Sequence, residues 1–152
     1  MTDEEKIKQE LENKFTYLKD AVIVKRKSRV FAAVPLEKFK HVFDYAVKNL
    51  GFDGLCAITG LDLGESLGVI YHLNREGRLT LNLTVALDKE HPQVATVTDY
   101  FPGADIYERE MVDLLGIAVK GLATGQHYPL PDNWPKNDHP LRKDWKGEAK
   151  HA

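Results

Sequence analysis

The sequence predicts an α+β fold: a two-layer domain whose mixed, largely antiparallel five-strand sheet is covered by helices, followed by an extended C-terminal tail. Three observations predict it. Apolar residues recur at helical spacing near the N-terminus, after Pro35 and after Asp105. Between these stretches lie five short runs with β-branched or alternating apolar residues. Beyond Gly121 the chain carries Pro129, Pro131, Pro135 and Pro140 among Tyr128, Trp134, Leu141 and Trp145. That is too proline-rich for a helix or an inner strand, and too aromatic for an ordinary disordered segment. A chain of 152 residues suffices for one domain with a real core and falls short of two, so residues 1–120 are assigned to the α+β domain and 121–152 to the tail.

The elements follow in order. Residues 4–18 place Ile7, Leu11, Phe15 and Leu18 on one helical face, with charges between them. Residues 21–25 and 29–34 flank Arg26, Lys27 and Ser28 and read as a hairpin. Pro35 suits the first turn of a helix, and Leu36, Phe39, Val42, Phe43, Ala46, Val47 and Leu50 continue it to Gly51. This helix should cover one face of the sheet. Residues 55–63, 67–74 and 79–87 are strand-like, and their short connections predict antiparallel pairing. In the last of them Leu79, Leu81, Leu83 and Val85 alternate with Thr80, Asn82, Thr84 and Ala86, the pattern of a strand with one buried face. Residues 88–92 read as a loop and 93–100 as a short helix before Pro102 and Gly103 turn the chain.

Residues 106–115 are predicted to be helical, with Asp105 as N-cap, Glu108 in capping-box position and Gly116 as the left-handed terminator. On the helical wheel Tyr107, Met111, Leu114 and Leu115 share one arc, and Arg109, Glu110 and Asp113 lie opposite. Glu108 falls at the edge of the apolar stripe, where a carboxylate needs a cationic or amide partner. Arg109 and Asp113, four apart, are placed to pair along the outer face. Such a pair contributes only about 0.2–0.5 kcal/mol in an isolated helix, too little to account for so dense a charge cluster.

Composition excludes several functions. Hydrophobic residues make up 43% and charged residues 29% of the chain, ordinary for a globular protein. A net charge of -2 with dispersed lysines and arginines gives no footprint for nucleic acid. The one compact basic group, Lys25, Arg26, Lys27 and Arg29, reads as a solvated turn that guards a strand edge, with a phosphate or lipid contact as the alternative. No stretch approaches the roughly 20 apolar residues that span a bilayer, and the acidic start is unlike a signal peptide, so any membrane contact is expected to be indirect. Cys56 is the single cysteine, and an iron-sulfur cluster needs about four thiolates.

Candidate chemistry is sparse, and no catalytic, cofactor-binding or metal-binding residue is expected. The six histidines form no pair at ligand spacing. Cys56 lies in a hydrophobic strand run and reads as a core residue rather than a reactive thiol. The glycines between Gly60 and Gly68 connect strand to strand without a helix to receive a phosphate. Glu108, Glu110 and Asp113 could form an acid/base set, but the simpler role is electrostatic: fixing the helix to Arg142 and Lys143 of the tail, or to a partner subunit. Trp134 and Trp145 are the expected anchors, since tryptophan dominates many interfaces.

The runs ERE-x-x-DLLGI from Glu108 to Ile117, LPDNW from Leu130 to Trp134 and HPLRKDW from His139 to Trp145 resemble the signature of the 30 kDa-type subunit family of respiratory complex I, the NADH dehydrogenase. That family includes the corresponding small subunit of energy-converting, membrane-bound hydrogenases of the Ech and formate hydrogenlyase type. Between the two halves of the motif, complex I members usually carry a histidine, a proline and paired arginines. This chain instead has Leu122, Ala123, Thr124, Gly125, Gln126 and His127, which tilts the resemblance towards the hydrogenase branch.

The resemblance implies a non-catalytic structural subunit of a membrane-associated oxidoreductase complex, of either the NADH:quinone or the hydrogenase type. The implied partners are the hydrogenase-like large subunit and other subunits of the peripheral arm, on the cytoplasmic side of the cell membrane. The implied contact residues are Glu108, Arg109, Glu110 and Asp113 on the helix. On the tail they are Leu130, Pro131, Asp132 and Trp134, then Pro140, Leu141, Arg142, Lys143, Asp144 and Trp145. Implied cofactors lie in other subunits: iron-sulfur clusters, with either a nickel-iron centre or NADH and FMN. The competing reading is a free-standing small-ligand binding or regulatory α+β module, whose mark would be a closed pocket on the sheet with converging polar groups.

Overall fold

The structure, a computed structural model, describes residues 1–147; residues 148–152 of the predicted tail, His151 among them, lie outside the described residues. The chain runs α1 (Asp3–Lys14), β1 (Val22–Arg26), β2 (Arg29–Ala33), α2 (Phe39–Lys48), β3 (Gly54–Asp62), β4 (Ser66–Arg75) and β5 (Leu79–Asp88). It continues with β6 (Gln93–Ala95), α3 (Ala104–Leu115) and β7 (Ala118–Lys120). Five strands form one sheet in the order β1-β2-β5-β4-β3, and β6 and β7 form a separate pair. β1 and β2 are antiparallel while β2 and β5 are parallel, so the sheet is mixed, as expected. Two compact units share the chain: residues 1–59 with 69–86, and residues 60–68 with the chain from Leu87 onward.

In the first unit α1 opens with a capping box, Thr2 and Glu5 each accepting the other's backbone N–H. Its Ile7 and Leu11 are buried. Phe39 and Phe43 of α2 meet the Tyr71 ring of β4, with centroids 4.5 and 5.7 Å apart. Tyr71, Leu73, Leu81, Leu83 and Val85 are all fully buried, so the strand alternation read from the sequence places the core correctly. The opposite side of β5 is less exposed than its pattern predicts. Thr80 is 9% and Asn82 4% accessible, because Arg29 Nη1 donates to Thr80 Oγ1 at 2.9 Å and the His72 ring Nδ1 lies 2.6 Å from Asn82 Oδ1.

Two expectations are corrected. Cys56 is exposed rather than in the core: β3 is an edge strand, and only its Ile58 is buried. Residues 93–100 do not form a helix. Val94, Thr96, Val97 and Thr98 favour extended backbone, and β6 pairs in parallel with β7 in the register Gln93 to Ala118, Val94 to Val119 and Ala95 to Lys120.

Candidate functional site: an arm seated on the end of α3

All the geometry of this site lies within the second unit. α3 starts one residue earlier than its expected cap, at Ala104, and its N-cap is Gly103 without a side-chain hydrogen bond. Asp105 lies inside the first turn and grips Arg109 in a two-pronged pair, Nε to Oδ1 at 2.7 Å and Nη2 to Oδ2 at 2.9 Å. This hydrogen-bonded pairing holds the Asp105 carboxyl below its ordinary range and pushes the Arg109 guanidinium further up. The expected Arg109–Asp113 pair is therefore absent, and Arg109 uses Nη2 to reach the carbonyl of Ala123 at 2.8 Å as well.

Glu108 is not a capping-box residue. It is fully buried, and its carboxylate accepts the Val97 N–H at 2.7 Å and the Thr96 hydroxyl at 2.6 Å. The amide partner that its place on the wheel demanded comes from the segment that follows β6.

Asp113 departs most from expectation. The wheel puts it on the outer face, yet it is 6% accessible because the chain beyond Gly121 folds over it. One oxygen accepts from His127 Nδ1 at 2.9 Å, the other from the Leu130 N–H at 3.2 Å. A helical wheel cannot foresee a lid that arrives from a distant segment.

The end of α3 explains the HPLRKDW run. A helix leaves its last carbonyls without partners inside the helix and presents the negative end of its dipole there. Three successive carbonyls are answered by the arm. His139 Nδ1 donates to the Asp113 carbonyl at 2.9 Å, the Leu141 N–H to that of Leu114 at 3.0 Å, and Arg142 Nε to that of Leu115 at 2.7 Å. Gly116 ends the helix at φ 72°, as its sequence signal predicts. A Cβ there would also stand 2.6 Å from the His139 ring, so the position excludes a side chain twice over. Arg142 thus binds backbone carbonyls, including that of Lys89 at 3.3 Å, and not the helix carboxylates assigned to it from sequence.

Asp62, at the end of β3, secures the next residue. Its nearly inaccessible side chain accepts the Lys143 N–H at 2.8 Å, the Gly64 N–H at 2.8 Å and the Lys89 ammonium at 2.9 Å. The Lys143 amide is the chief cause that brings its carboxyl from 3.8 down to about 2. Farther along the arm both indoles turn to one residue: Trp134 Nε1 donates to the carbonyl of Asp138 at 2.7 Å, and Trp145 Nε1 to its carboxylate.

The remaining assigned residues are dispersed. Leu130, Trp134, Pro140 and Trp145 are half-buried; Glu110, Pro131, Asp132, Lys143 and Asp144 are exposed, and Leu141 is 55% accessible. Sequence reasoning missed Asp62, Lys89, Asp138 and His139 as parts of this seat. The only local signal was Asp62 two residues before Gly64, which reads as a turn and does not reveal a contact with Lys143. Among the described residues no group of three or more His, Cys, Asp or Glu could hold a metal ion, and no helix is long and apolar enough to cross a membrane. What the arrangement can do is hold an arm in register and present its outward side chains.

Known proteins resemble this chain in sequence and in fold. The chain is 33% identical over 122 residues to a subunit of the F420H2 dehydrogenase of Methanosarcina mazei, covering 78% of this chain and 77% of that protein. It is 31% identical over 116 residues to a subunit of the NADH-quinone oxidoreductase of Moorella thermoacetica, covering 74% and 77%. A chain in the structure of the membrane-bound sulfane sulfur reductase, an archaeal respiratory membrane complex, superposes with a TM-score of 0.82 at 25% identity, over 97% of this chain and 88% of that one. The trypsin-resistant fragment 1–134 of Nqo5 superposes with a TM-score of 0.65 at 26% identity, over 78% and 99%. Residues 32–151, which include α3 and the run from His139 to Trp145, match the family model described as "Respiratory-chain NADH dehydrogenase, 30 Kd subunit", and the chain belongs to that family.

Proposed function

We propose that this chain is a non-catalytic structural subunit of a membrane-associated, complex I-like oxidoreductase, and that it docks on the hydrogenase-like large subunit through the arm formed by residues 121–152. One observation carries the reading. The arm is fastened by its polar groups to α3 and Asp62, while Tyr128 and Leu141 point outward at 42% and 55% accessibility. Apolar side chains held facing solvent on a fixed backbone are suited to a protein partner. The relatives that are subunits of an F420H2 dehydrogenase and of an NADH-quinone oxidoreductase support the same reading. Iron-sulfur clusters and any nickel-iron centre, NADH or FMN belong to other subunits, and the chain sits peripherally on the cytoplasmic side, held there by its partners.

The test is limited trypsin digestion of the chain alone and of the chain co-purified with its large subunit. Cleavage beyond Gly121 is expected in the first sample and protection in the second. Leu141→Asp should weaken co-purification and change the isolated chain's melting temperature little, because that side chain is 55% accessible and the hydrogen bond to the Leu114 carbonyl uses the backbone N–H. Equal cleavage in both samples removes the arm from the interface.

A further inference from the structure

The first unit carries a feature in which the arm takes no part. His72 follows Tyr71 on β4 and so points to the sheet face away from α2. On that face a cavity of about 400 Å³, open to solvent, is lined by Arg26, Arg29, Phe31, His72, Thr80 and Asn82 together with Cys56 and Ala57. The strand register builds it: Arg29 lies opposite Thr80, Phe31 opposite Asn82, and Ile23 opposite Phe31. Ile23 is 51% accessible and its neighbour Phe31 carries the Lys25 ammonium 4.7 Å from its ring centroid, so an apolar strip with a further cation at its edge adjoins the polar cavity.

The lining is cationic and rich in hydrogen-bonding groups, and it contains no carboxylate. Arg29 is half-buried and uses Nη1 for the Ser28 carbonyl at 3.1 Å and Thr80 Oγ1 at 2.9 Å. Its Nε and Nη2 have no partner among the described residues, nor has the guanidinium of Arg26. Glu4, the acidic group at this hairpin, is already bound to the Ser28 N–H. His72 and Asn82 are held in place by a chain from Thr59 Oγ1 to His72 Nε2 at 2.9 Å, and on through Asn82 Nδ2 to the Val30 carbonyl at 3.1 Å.

We propose that this cavity is a second docking site, which takes the carboxylate side chains of an acidic segment of a partner protein, with an apolar residue of that segment against Phe31 and Ile23. Two guanidinium groups without anions match planar carboxylates in geometry as well as charge. The adjoining apolar strip adds area that a free anion cannot use. A cavity sunk in a sheet face is poorly shaped for the flat array of headgroups on a bilayer. The site is independent of the arm, so the two readings can fail separately.

Binding is measured by fluorescence anisotropy on the full chain, with a labelled oligoglutamate peptide that contains one phenylalanine. The chain should bind the peptide, less tightly as salt rises. Arg26→Gln, which breaks no side-chain hydrogen bond or ion pair among the described residues, should weaken binding about tenfold, in line with loss of one charged hydrogen-bonded pair. Lys27→Gln, on the same turn but outside the cavity, should change it less than about twofold. Leu141→Asp should leave it unaltered. Equal losses for Arg26→Gln and Lys27→Gln would mean bulk charge attraction and overturn the proposal. Arg26-dependent binding of phosphatidylglycerol vesicles with none of the peptide would overturn it in favour of a lipid surface.

Discussion

The backbone N–H of Lys143 donates to the carboxylate of Asp62 at 2.8 Å, across 81 positions of sequence. Together with Lys89 and the Gly64 N–H this contact lowers the Asp62 carboxyl from 3.8 to about 2. A carboxyl depressed in the folded chain contributes stability that is complete above its ordinary value and fades as the pH falls towards the depressed one. The window is therefore from about pH 4 down to about pH 2. Trp134 and Trp145 are the chain's two tryptophans and both lie on the arm, so their fluorescence reports its seating. An acid step is expected in that window for the native chain. Asp62→Asn should show the unseated signal already at neutral pH, and an identical acid curve for the variant would exclude Asp62 as the fastening.

Arg142→Gln removes a charged hydrogen bond from the negative end of α3, a loss of about 1–3 kcal/mol. At this chain length the melting temperature should fall by about 2–4 °C for each kcal/mol. Arg142→Lys should recover only part of the loss, since an ammonium lacks the guanidinium's fork. Calorimetry of the isolated chain decides it: an unchanged melting temperature would mean that the helix end does not need the arm.

Gly116→Ala carries two penalties. The left-handed backbone costs a side chain about 1–2 kcal/mol, and the new methyl displaces the His139 ring from the Asp113 carbonyl. The two variants Gly116→Ala and His139→Ala should consequently be non-additive, His139→Ala costing less in the alanine background than alone. Additive losses in denaturant titrations would show that ring and glycine act separately.

Glu108→Ala leaves the Val97 N–H without its acceptor, at a cost of about 1–3 kcal/mol beyond the volume lost. Glu108→Gln retains an acceptor and should be milder. Urea midpoints read the difference, with an unchanged m-value confirming that both folded states keep their compactness.

Local rules suffice where the determinant is local. Gly116 stops α3 as its type predicts, and Leu81, Leu83 and Val85 point inward as alternation requires. They fail where a remote segment decides. Asp113 looks solvent-facing on a wheel until His127 and Leu130 arrive above it. The three residues of β6 have too few repeats to display a period, and their pairing with Ala118–Lys120 is invisible in the sequence around them. The run from His139 to Trp145 is legible as a motif in the sequence, but its physical reason is not. That reason is the set of carbonyls at the end of a helix more than 20 residues upstream.

Those carbonyls carry a consequence for any shortened version of the chain. A product ending at Gly121 would keep every residue of α3, yet its final turn would have only water to satisfy what His139, Leu141 and Arg142 now satisfy. Trimming away the residues beyond Gly121 therefore frays a helix as well as deleting a projection, and the remnant's behaviour cannot stand for that of the intact body.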